Sequence, residues 1–106
     1  MKKGSIILIP FPFTDLKGSK IRLAVVLCKS ELDVTISFIT SELKWKMEYD
    51  VPIFPSDNNG LKTPSLIRIG KIATIDFGLV LGELGELSHA EMIELNKGLK
   101  ELLQLS

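Results

Sequence analysis

Three stretches in the first half of the chain decide the predicted fold: GSIILIPFPFTD (Gly4–Asp15), GSKIRLAVVL (Gly18–Leu27) and FITS (Phe38–Ser41). Their alternating, β-branched composition predicts strands over residues 5–9, 22–28 and 35–39, joined by short polar connections. Arg22 enters the second of these strands, and Thr40 leaves the third. The first half of the chain is therefore predicted to form a β-meander with one polar residue at each of two strand ends.

The remaining β segments are short or interrupted. Pro10 and Pro12 cannot donate to a sheet, so the first strand should end or run along an edge there, before a loop over residues 11–20. Residues 51–54 are a predicted short strand, and Asn59-Gly60 predicts a tight turn after it. A long strand should follow over residues 65–75, whereas residues 82–85 are predicted to form a turn. This pattern indicates a small, strongly curved barrel or sandwich.

The C-terminal segment changes to a helical period. Ser88 and Glu91 have the spacing of a capping box, and apolar residues then recur every three or four positions. We therefore expect an amphipathic helix over residues 88–104. Gly98 inside it costs about 1 kcal/mol relative to alanine, so packing rather than helix propensity must hold the helix.

Length and composition limit the classes of protein that fit. The 106 residues suffice for one domain, and 45% apolar with 25% charged residues is typical of a soluble globular chain. No apolar run approaches the roughly 18 residues of a membrane span, and a single cysteine, Cys28, cannot form an internal disulfide. No signal peptide is predicted, because prolines interrupt the N-terminal apolar run. We expect a cytoplasmic protein with no membrane partner and a buried Cys28 thiol.

The net charge is zero, which argues against a protein that coats nucleic acid by bulk electrostatics. A local excess of cations lies in the first 22 residues, where Asp15 is opposed by five basic residues: Lys2, Lys3, Lys17, Lys20 and Arg22. These cations predict a basic rim beside the first loop, or they only keep the surface soluble. One histidine and one cysteine leave no zinc cluster, and neither a metal nor another cofactor is predicted.

In order and spacing, these stretches resemble the MazF/PemK family of toxin endoribonucleases from type II toxin–antitoxin systems. The resemblance covers nearly the whole chain and extends to SLIRI (Ser65–Ile69), KIATID (Lys71–Asp76) and LGELS (Leu84–Ser88). It implies a mainly β fold with a C-terminal α-helix, an SH3-like barrel of the CcdB/PemK (MazF) type. We expect one domain over residues 1–106, with the barrel at about 4–84 and the helix at about 88–104.

The resemblance also implies a catalytic pair. In the family, an arginine at the position of Arg22 and a threonine at that of Thr40 catalyse RNA cleavage, and both match here. A guanidinium suits phosphate oxygens, and a hydroxyl adds one directed hydrogen bond, when the RNA 2′-hydroxyl attacks the adjacent phosphate. Such a site needs no metal and leaves 2′,3′-cyclic phosphate and 5′-hydroxyl ends. Without the resemblance, Arg22 reads as surface charge and Thr40 as ordinary strand composition.

Four further residues are candidates for RNA contact: Ser41, Lys20, Arg68 and Trp45. Ser41 directly follows the threonine of the pair. Arg68 matches a basic position in the family's long strand, although a solvent-facing role fits equally well. Trp45 lies between two lysines, an arrangement that single-strand binders use for base stacking; alternatively it anchors a partner chain or closes the core.

The chain departs from the family pattern at three places. Ser5 stands where members usually have an acid after the glycine, and Leu23 stands where a proline usually follows the arginine. Gly70 replaces a carboxylate that many members carry just before the position of Lys71. That acid can act as a base or orient the arginine, so its loss puts the cleavage rate in question.

The sequence therefore predicts a toxin that is a sequence-selective endoribonuclease, an mRNA interferase, acting on single-stranded RNA. The resemblance implies a homodimer and inhibition by a cognate antitoxin protein. Two other functions stay open at this point. One is a catalytically weakened module that binds nucleic acid or protein, and the other is a CcdB-like gyrase poison, against which the Arg22 and Thr40 motifs argue.

Overall fold

The computed structural model describes residues 1–11, 20–44 and 46–105. In chain order the elements are β1 (Ser5–Phe11), β2 (Lys20–Lys29), β3 (Asp33–Thr40), β4 (Val51–Ile53), β5 (Ser65–Asp76), a 3₁₀ turn (Phe77–Leu79), β6 (Gly82–Glu86) and α1 (His89–Leu102). Among the described residues, the strands form one antiparallel sheet in the order β4-β5-β3-β2-β1-β6. The sheet is a half-barrel, and the helix follows it at the C-terminus.

The five predicted strands are confirmed, with ends that differ from the prediction by at most two residues. Pro10 lies within β1, at a place where the strand runs along an edge. β6 pairs with β1 only as far as Leu8, which stands opposite Gly82, whereas β2 continues to pair with Pro10 and Phe11. The missing N–H of the proline is therefore tolerated because no described strand lies on that side.

The prediction of a turn over residues 82–85 is wrong, because this segment forms strand β6. Its two glycines, Gly82 and Gly85, interrupt the apolar alternation that identifies a strand in sequence. In the fold they pair with β1, Gly82 opposite Leu8 and Gly85 opposite Ile6. A Cβ at Gly85 would overlap the carbonyl oxygen of Asn58, so the close approach of two backbones requires glycine here.

The central strands are buried on both faces, and their apolar residues form two separate clusters. Successive residues point to opposite faces, so Ile6 belongs to the cluster beneath α1 and Ile7 to the cluster on the other side of the sheet. The second cluster includes Ala24 of β2 and Ile36 of β3 and is bordered by Phe38. Residues of the candidate site described below continue this second face beyond the end of the cluster.

The helix begins with the predicted capping box. The Ser88 hydroxyl accepts from the Glu91 N–H at 3.2 Å, and the Glu91 carboxylate accepts from the Ser88 N–H at 2.8 Å. Gly98 is buried against β5, where a Cβ would lie 3.2 Å from Cγ1 of Ile69. The glycine thus lets the helix pack closely against β5, in agreement with the expectation that packing and not helix propensity holds the helix. No helix in the described part of the chain is long and apolar enough to cross a membrane.

The prediction of a buried Cys28 thiol is wrong, because the residue is exposed. A β-bulge interrupts the register between Val26 and Cys28 near the end of β2. The bulge breaks the simple alternation from which burial was inferred, and Cys28 lies beyond the buried part of the strand.

Candidate active site

Sheet register brings Arg22 and Thr40 to the same end of two neighbouring strands. Leu23 of β2 stands opposite Ile39 of β3, so Arg22 and Thr40 occupy the next positions outward. Both residues follow the alternation of the second apolar cluster, to which Ala24 belongs. The predicted pair is therefore adjacent in space although 18 positions separate it in sequence.

Two adjoining pockets open beside this pair and share Arg22, Ile39 and Thr40 in their walls. The first, here called the loop pocket, has a volume of about 330 Å³ and is completed by Ile21, Leu23, Ser41, Gly60, Leu61, Lys62, Thr63, Ser65 and Leu84. The second, here called the aromatic pocket, has a volume of about 650 Å³ and is completed by Phe11, Phe38, Glu42, Arg68 and Lys71. Arg22 and Thr40 thus stand between two cavities rather than at the end of one.

The Thr40 hydroxyl is held in place by the chain that follows it. Its Oγ1 accepts a hydrogen bond of 3.1 Å from the Glu42 N–H. A hydroxyl can accept and donate at the same time, so this bond fixes the oxygen and leaves the O–H group able to donate. The same turn brings the Glu42 side chain into the aromatic pocket, where its Oε1 accepts from the Lys44 N–H at 3.3 Å.

The chain contains only two arginines, and both line the aromatic pocket. Arg22 is exposed. Arg68 stands opposite Phe38 in the β3–β5 register, and its side chain is only 17% exposed. Its Nε lies 3.8 Å from Oδ2 of Asp50, and its Nη1 lies 3.5 Å from Sδ of Met47. Arg68 is therefore a half-buried pocket residue and not a solvent-facing strand residue.

Two phenylalanines and Ile39 form the apolar part of the aromatic pocket. The rings of Phe11 and Phe38 contact edge to face, with centroids 5.5 Å apart and an interplanar angle of 86°. Phe38 borders the second apolar cluster, whereas Phe11 is 45% exposed. An aromatic surface thus lies beside a group of cations consisting of Arg22, Arg68 and Lys71, with Glu42 as the acid in the same wall.

The loop pocket takes part of its wall from the connection between β4 and β5. Asn59 lies beneath this wall and is fully buried. Its Oδ1 accepts from the N–H groups of Ser56 and Leu61, each at 3.0 Å, and its Nδ2 donates to the Phe54 carbonyl at 2.8 Å. One amide side chain therefore fixes the path of the chain into the pocket. The predicted turn is confirmed at Gly60, which has a φ of +70°.

The other predicted RNA-contact residues lie at different places. Ser41 lines the loop pocket, beside Arg22 and Thr40. Lys20 is exposed and stands opposite Phe11 in the β1–β2 register, at the margin of the aromatic pocket and not in its wall. Trp45, like residues 12–19 of the first loop, lies outside the described residues. Within the described ranges, no group of three or more His, Cys, Asp or Glu side chains could hold a metal ion.

Sequence reasoning missed several residues of this site. Phe38 was available from the pattern, because it lies two residues before Thr40 and two-residue spacing places side chains on one strand face. Glu42 and Lys71 carry no local signal, since each is an ordinary charged residue next to a strand end or bulge. Asp50 also lacks one, and its proximity to Arg68 exists only in the folded chain.

Comparison with known proteins places this fold in a family. A search of curated proteins returned no match. Among solved structures, the toxin MazF-mt6 of Mycobacterium tuberculosis is 20% identical with a TM-score of 0.77, covering 96% of this chain and 98% of that one. A chain of a MazE–MazF structure from Deinococcus radiodurans is 20% identical with a TM-score of 0.78, and the match covers 100% of this chain and 98% of that one. An endoribonuclease in complex with its cognate antitoxin from Mycobacterial species is 18% identical with a TM-score of 0.78, and the match covers 100% of this chain and 97% of that one.

These likenesses confirm the predicted fold class, a mainly β barrel of the MazF/PemK type with a C-terminal helix, which the structure shows as a half-barrel. At about 20% identity they speak for the fold alone. The family itself is shown by a sequence model that matches residues 2–103, nearly the whole chain. The protein therefore belongs to the family of PemK-like, MazF-like toxins of type II toxin–antitoxin systems.

Proposed function

We propose that this toxin is a metal-independent, sequence-selective endoribonuclease that cleaves single-stranded RNA, with Arg22 and Thr40 as its catalytic residues. The observation that carries the proposal is the convergence of Thr40 and both arginines of the chain on one pocket. An RNA phosphate is the substrate group that a pair of guanidinium forks and a hydroxyl donor suit best. Family membership and the endoribonucleases among its structural neighbours support the same reaction.

In the proposed reaction, the scissile phosphate binds between Arg22 and Thr40. The Glu42 carboxylate takes the proton of the RNA 2′-hydroxyl, whose oxygen then forms a bond to phosphorus. Arg22 and the Thr40 O–H group donate to the phosphate oxygens while negative charge accumulates on them. The bond from phosphorus to the 5′-oxygen breaks, and that oxygen takes a proton from water in the solvent-accessible pocket. The hydroxide that remains takes the proton from Glu42, which restores water and the carboxylate. The products carry a 2′,3′-cyclic phosphate and a 5′-hydroxyl.

The surroundings of the pair suit a single strand better than a duplex. The exposed Phe11 ring provides a stacking surface for an unpaired base, and Lys20 and Lys71 lie beside it to contact the backbone. The loop pocket on the other side can take a neighbouring nucleotide, with Ser41 and Lys62 as polar contacts. Trp45 stays a further candidate for stacking. Because the net charge of the chain is zero, the RNA must be held by these local contacts.

The proposed setting is that of a toxin under control of a partner. Structural neighbours in complex with a cognate antitoxin, or as MazE–MazF, support the proposal that a cognate antitoxin protein inhibits this chain. We also propose that residues 1–106 act as one domain and that the active form is a homodimer in the cytoplasm, where messenger RNA is the substrate.

The test is cleavage of a mixed-sequence single-stranded RNA in EDTA, with the ends of the fragments mapped. The wild type should cut at discrete sites and leave cyclic phosphates. Arg22→Ala should lower the cleavage rate about 100- to 1,000-fold, and Thr40→Val should lower it in the same direction, because each removes a donor to the transition state. Lys100→Ala, which removes an exposed cation on α1, is the matched control and should cut at the wild-type rate.

Two outcomes would contradict the proposal. Cleavage that survives Arg22→Ala would place the chemistry elsewhere. A folded wild type that binds the RNA without cutting it would favour the binding module, for which the absence of an acid at Gly70 already speaks.

A further inference from the structure

Asp50 is a buried carboxylate that contacts Arg68 and does not itself line the aromatic pocket. Its side chain is 2% exposed, and it directly precedes β4. Oδ2 accepts a hydrogen bond of 2.8 Å from the Met47 N–H, while the Asp50 N–H donates to the Met47 carbonyl at 3.1 Å. These two bonds close a turn over residues 47–50. The position of the carboxylate is therefore set by backbone and not by a flexible side chain.

A buried carboxylate destabilises a fold unless a cation and hydrogen bonds compensate it. Among the described residues, the cation within ion-pair distance of Asp50 is Arg68, whose Nε lies 3.8 Å from Oδ2. Arg68 comes from β5, 18 positions further along the chain, and its side chain lines the aromatic pocket. The turn and the strand are thus joined at the pocket by one charge pair.

The ion pair between Arg68 and Asp50 should favour the binding of a phosphate by Arg68. A free arginine side chain loses rotamer freedom when it binds a phosphate, and this loss weakens affinity. The Arg68 side chain is already restricted: its buried Nε lies within ion-pair distance of the Asp50 carboxylate, at 3.8 Å and beyond hydrogen-bond distance, and its Nη1 donates to the sulfur of Met47 at 3.5 Å. A guanidinium has five N–H donors in a rigid plane, more than one carboxylate engages, so a held guanidinium can still present donors to an anion.

We propose that Asp50 is a positioning residue, which holds the Arg68 guanidinium in the orientation that binds an RNA phosphate in the aromatic pocket. This inference rests on the proposed function, because it takes the ligand of that pocket to be RNA. In this proposal Arg68 binds a phosphate next to the scissile one. Asp50 does not contact RNA, and its role is to restrict the orientation of the Arg68 side chain.

The first test observes the guanidinium itself and needs no activity. Protein labelled with ¹⁵N-arginine should show two Nε–H signals, which Arg22→Lys assigns by removing one. In Asp50→Asn the Arg68 signal should broaden or exchange faster with water, while the Arg22 signal and the backbone amide spectrum keep their positions. Asparagine keeps an oxygen for the Met47 N–H, so the turn should persist. An unchanged Arg68 signal would overturn the proposal.

The second test measures coupling. Asp50→Asn should weaken binding of the mixed-sequence RNA about tenfold in the wild type and have no further effect in an Arg68→Gln background. Asp76→Asn is the matched control, because it removes the charge of an aspartate that also accepts from a backbone N–H, at the far end of β5. Equal losses in both backgrounds would show a general effect on folding and would overturn the proposal.

The two proposals fail separately. A wild type that binds RNA but does not cleave it contradicts the proposed nuclease, whereas the role of Asp50 is still decided by the affinities and the Arg68 signal. A wild type that cleaves, with affinity unaffected by Asp50→Asn, contradicts the role of Asp50 alone.

Discussion

Replacement of Asn59 by alanine should destabilise the protein by about 4 kcal/mol, although Asn59 is a single polar residue in a connection between strands. The side chain is fully buried and makes three hydrogen bonds to backbone groups, those of Phe54, Ser56 and Leu61. Alanine supplies neither the donor nor the acceptor, so all three bonds are lost together.

The magnitude follows from the surroundings of each backbone group. The bond to the Leu61 N–H is buried, so its loss leaves an unsatisfied donor at a cost of about 1–3 kcal/mol. The bonds to Ser56 and Phe54 are partly buried, and their loss costs about 0.5–1.5 kcal/mol each. Taken together, the three losses centre near 4 kcal/mol, a large share of the roughly 5–15 kcal/mol of a typical domain.

The assay is urea unfolding followed by far-ultraviolet circular dichroism, at one protein concentration for all variants. With a slope of about 1.5 kcal/mol per M, the midpoint should fall by roughly 2–3 M urea at an unchanged slope. Asn58→Ala is the matched control, because Asn58 is the exposed neighbour and should change the free energy of unfolding by less than about 0.5 kcal/mol. A loss below about 1 kcal/mol in Asn59→Ala would refute the reasoning that these bonds hold the wall of the loop pocket.

Two further stability predictions use the same assay. Ser88→Ala should cost about 1 kcal/mol, because it removes the cap that accepts from the Glu91 N–H, and a loss indistinguishable from zero would contradict the capping role. Gly60→Ala should cost more than about 2 kcal/mol, because its φ of +70° disfavours a side chain and a Cβ would lie 2.6 Å from the Leu84 carbonyl oxygen. Gly70→Ala is its control, since no atom lies within 4 Å of a Cβ there; similar losses in both would contradict the steric argument.

Local pattern was enough to predict most elements of the fold. Strand alternation located five of the six strands in the described part of the chain, and the spacing of Ser88 and Glu91 located the start of the helix. The sixth strand was missed because Gly82 and Gly85 carry no alternating side chains, and its identity as a strand comes from pairing with β1.

The candidate site likewise contains residues that the sequence predicts and residues that only the fold brings to the site. Arg22 and Thr40 were recognised through resemblance, and the side-chain alternation of their strands is a local property that folding preserves. The absence of an acid at Gly70 puts the cleavage rate in question, but in the fold the Glu42 carboxylate lies in the wall of the aromatic pocket and the Asp50 carboxylate contacts Arg68 of the same wall. The sequence did not predict either position, because each carboxylate belongs to a turn whose place beside the strands depends on the fold.

The sequence by itself determined the local elements of this protein, since periodicity, caps and turn residues act over a few neighbouring positions. It also determined the family, since the matching model follows the order of the chain from residue 2 to residue 103. Only the tertiary structure decided which strands are neighbours and where the β3–β5 register shifts. The β3–β5 register sets Arg68 opposite Phe38, and the β4–β5 register, in which Val51 stands opposite Ile67, brings Arg68 beside Asp50. Both registers depend on the packing of the whole sheet and not on local composition, because they join segments that are distant in the chain.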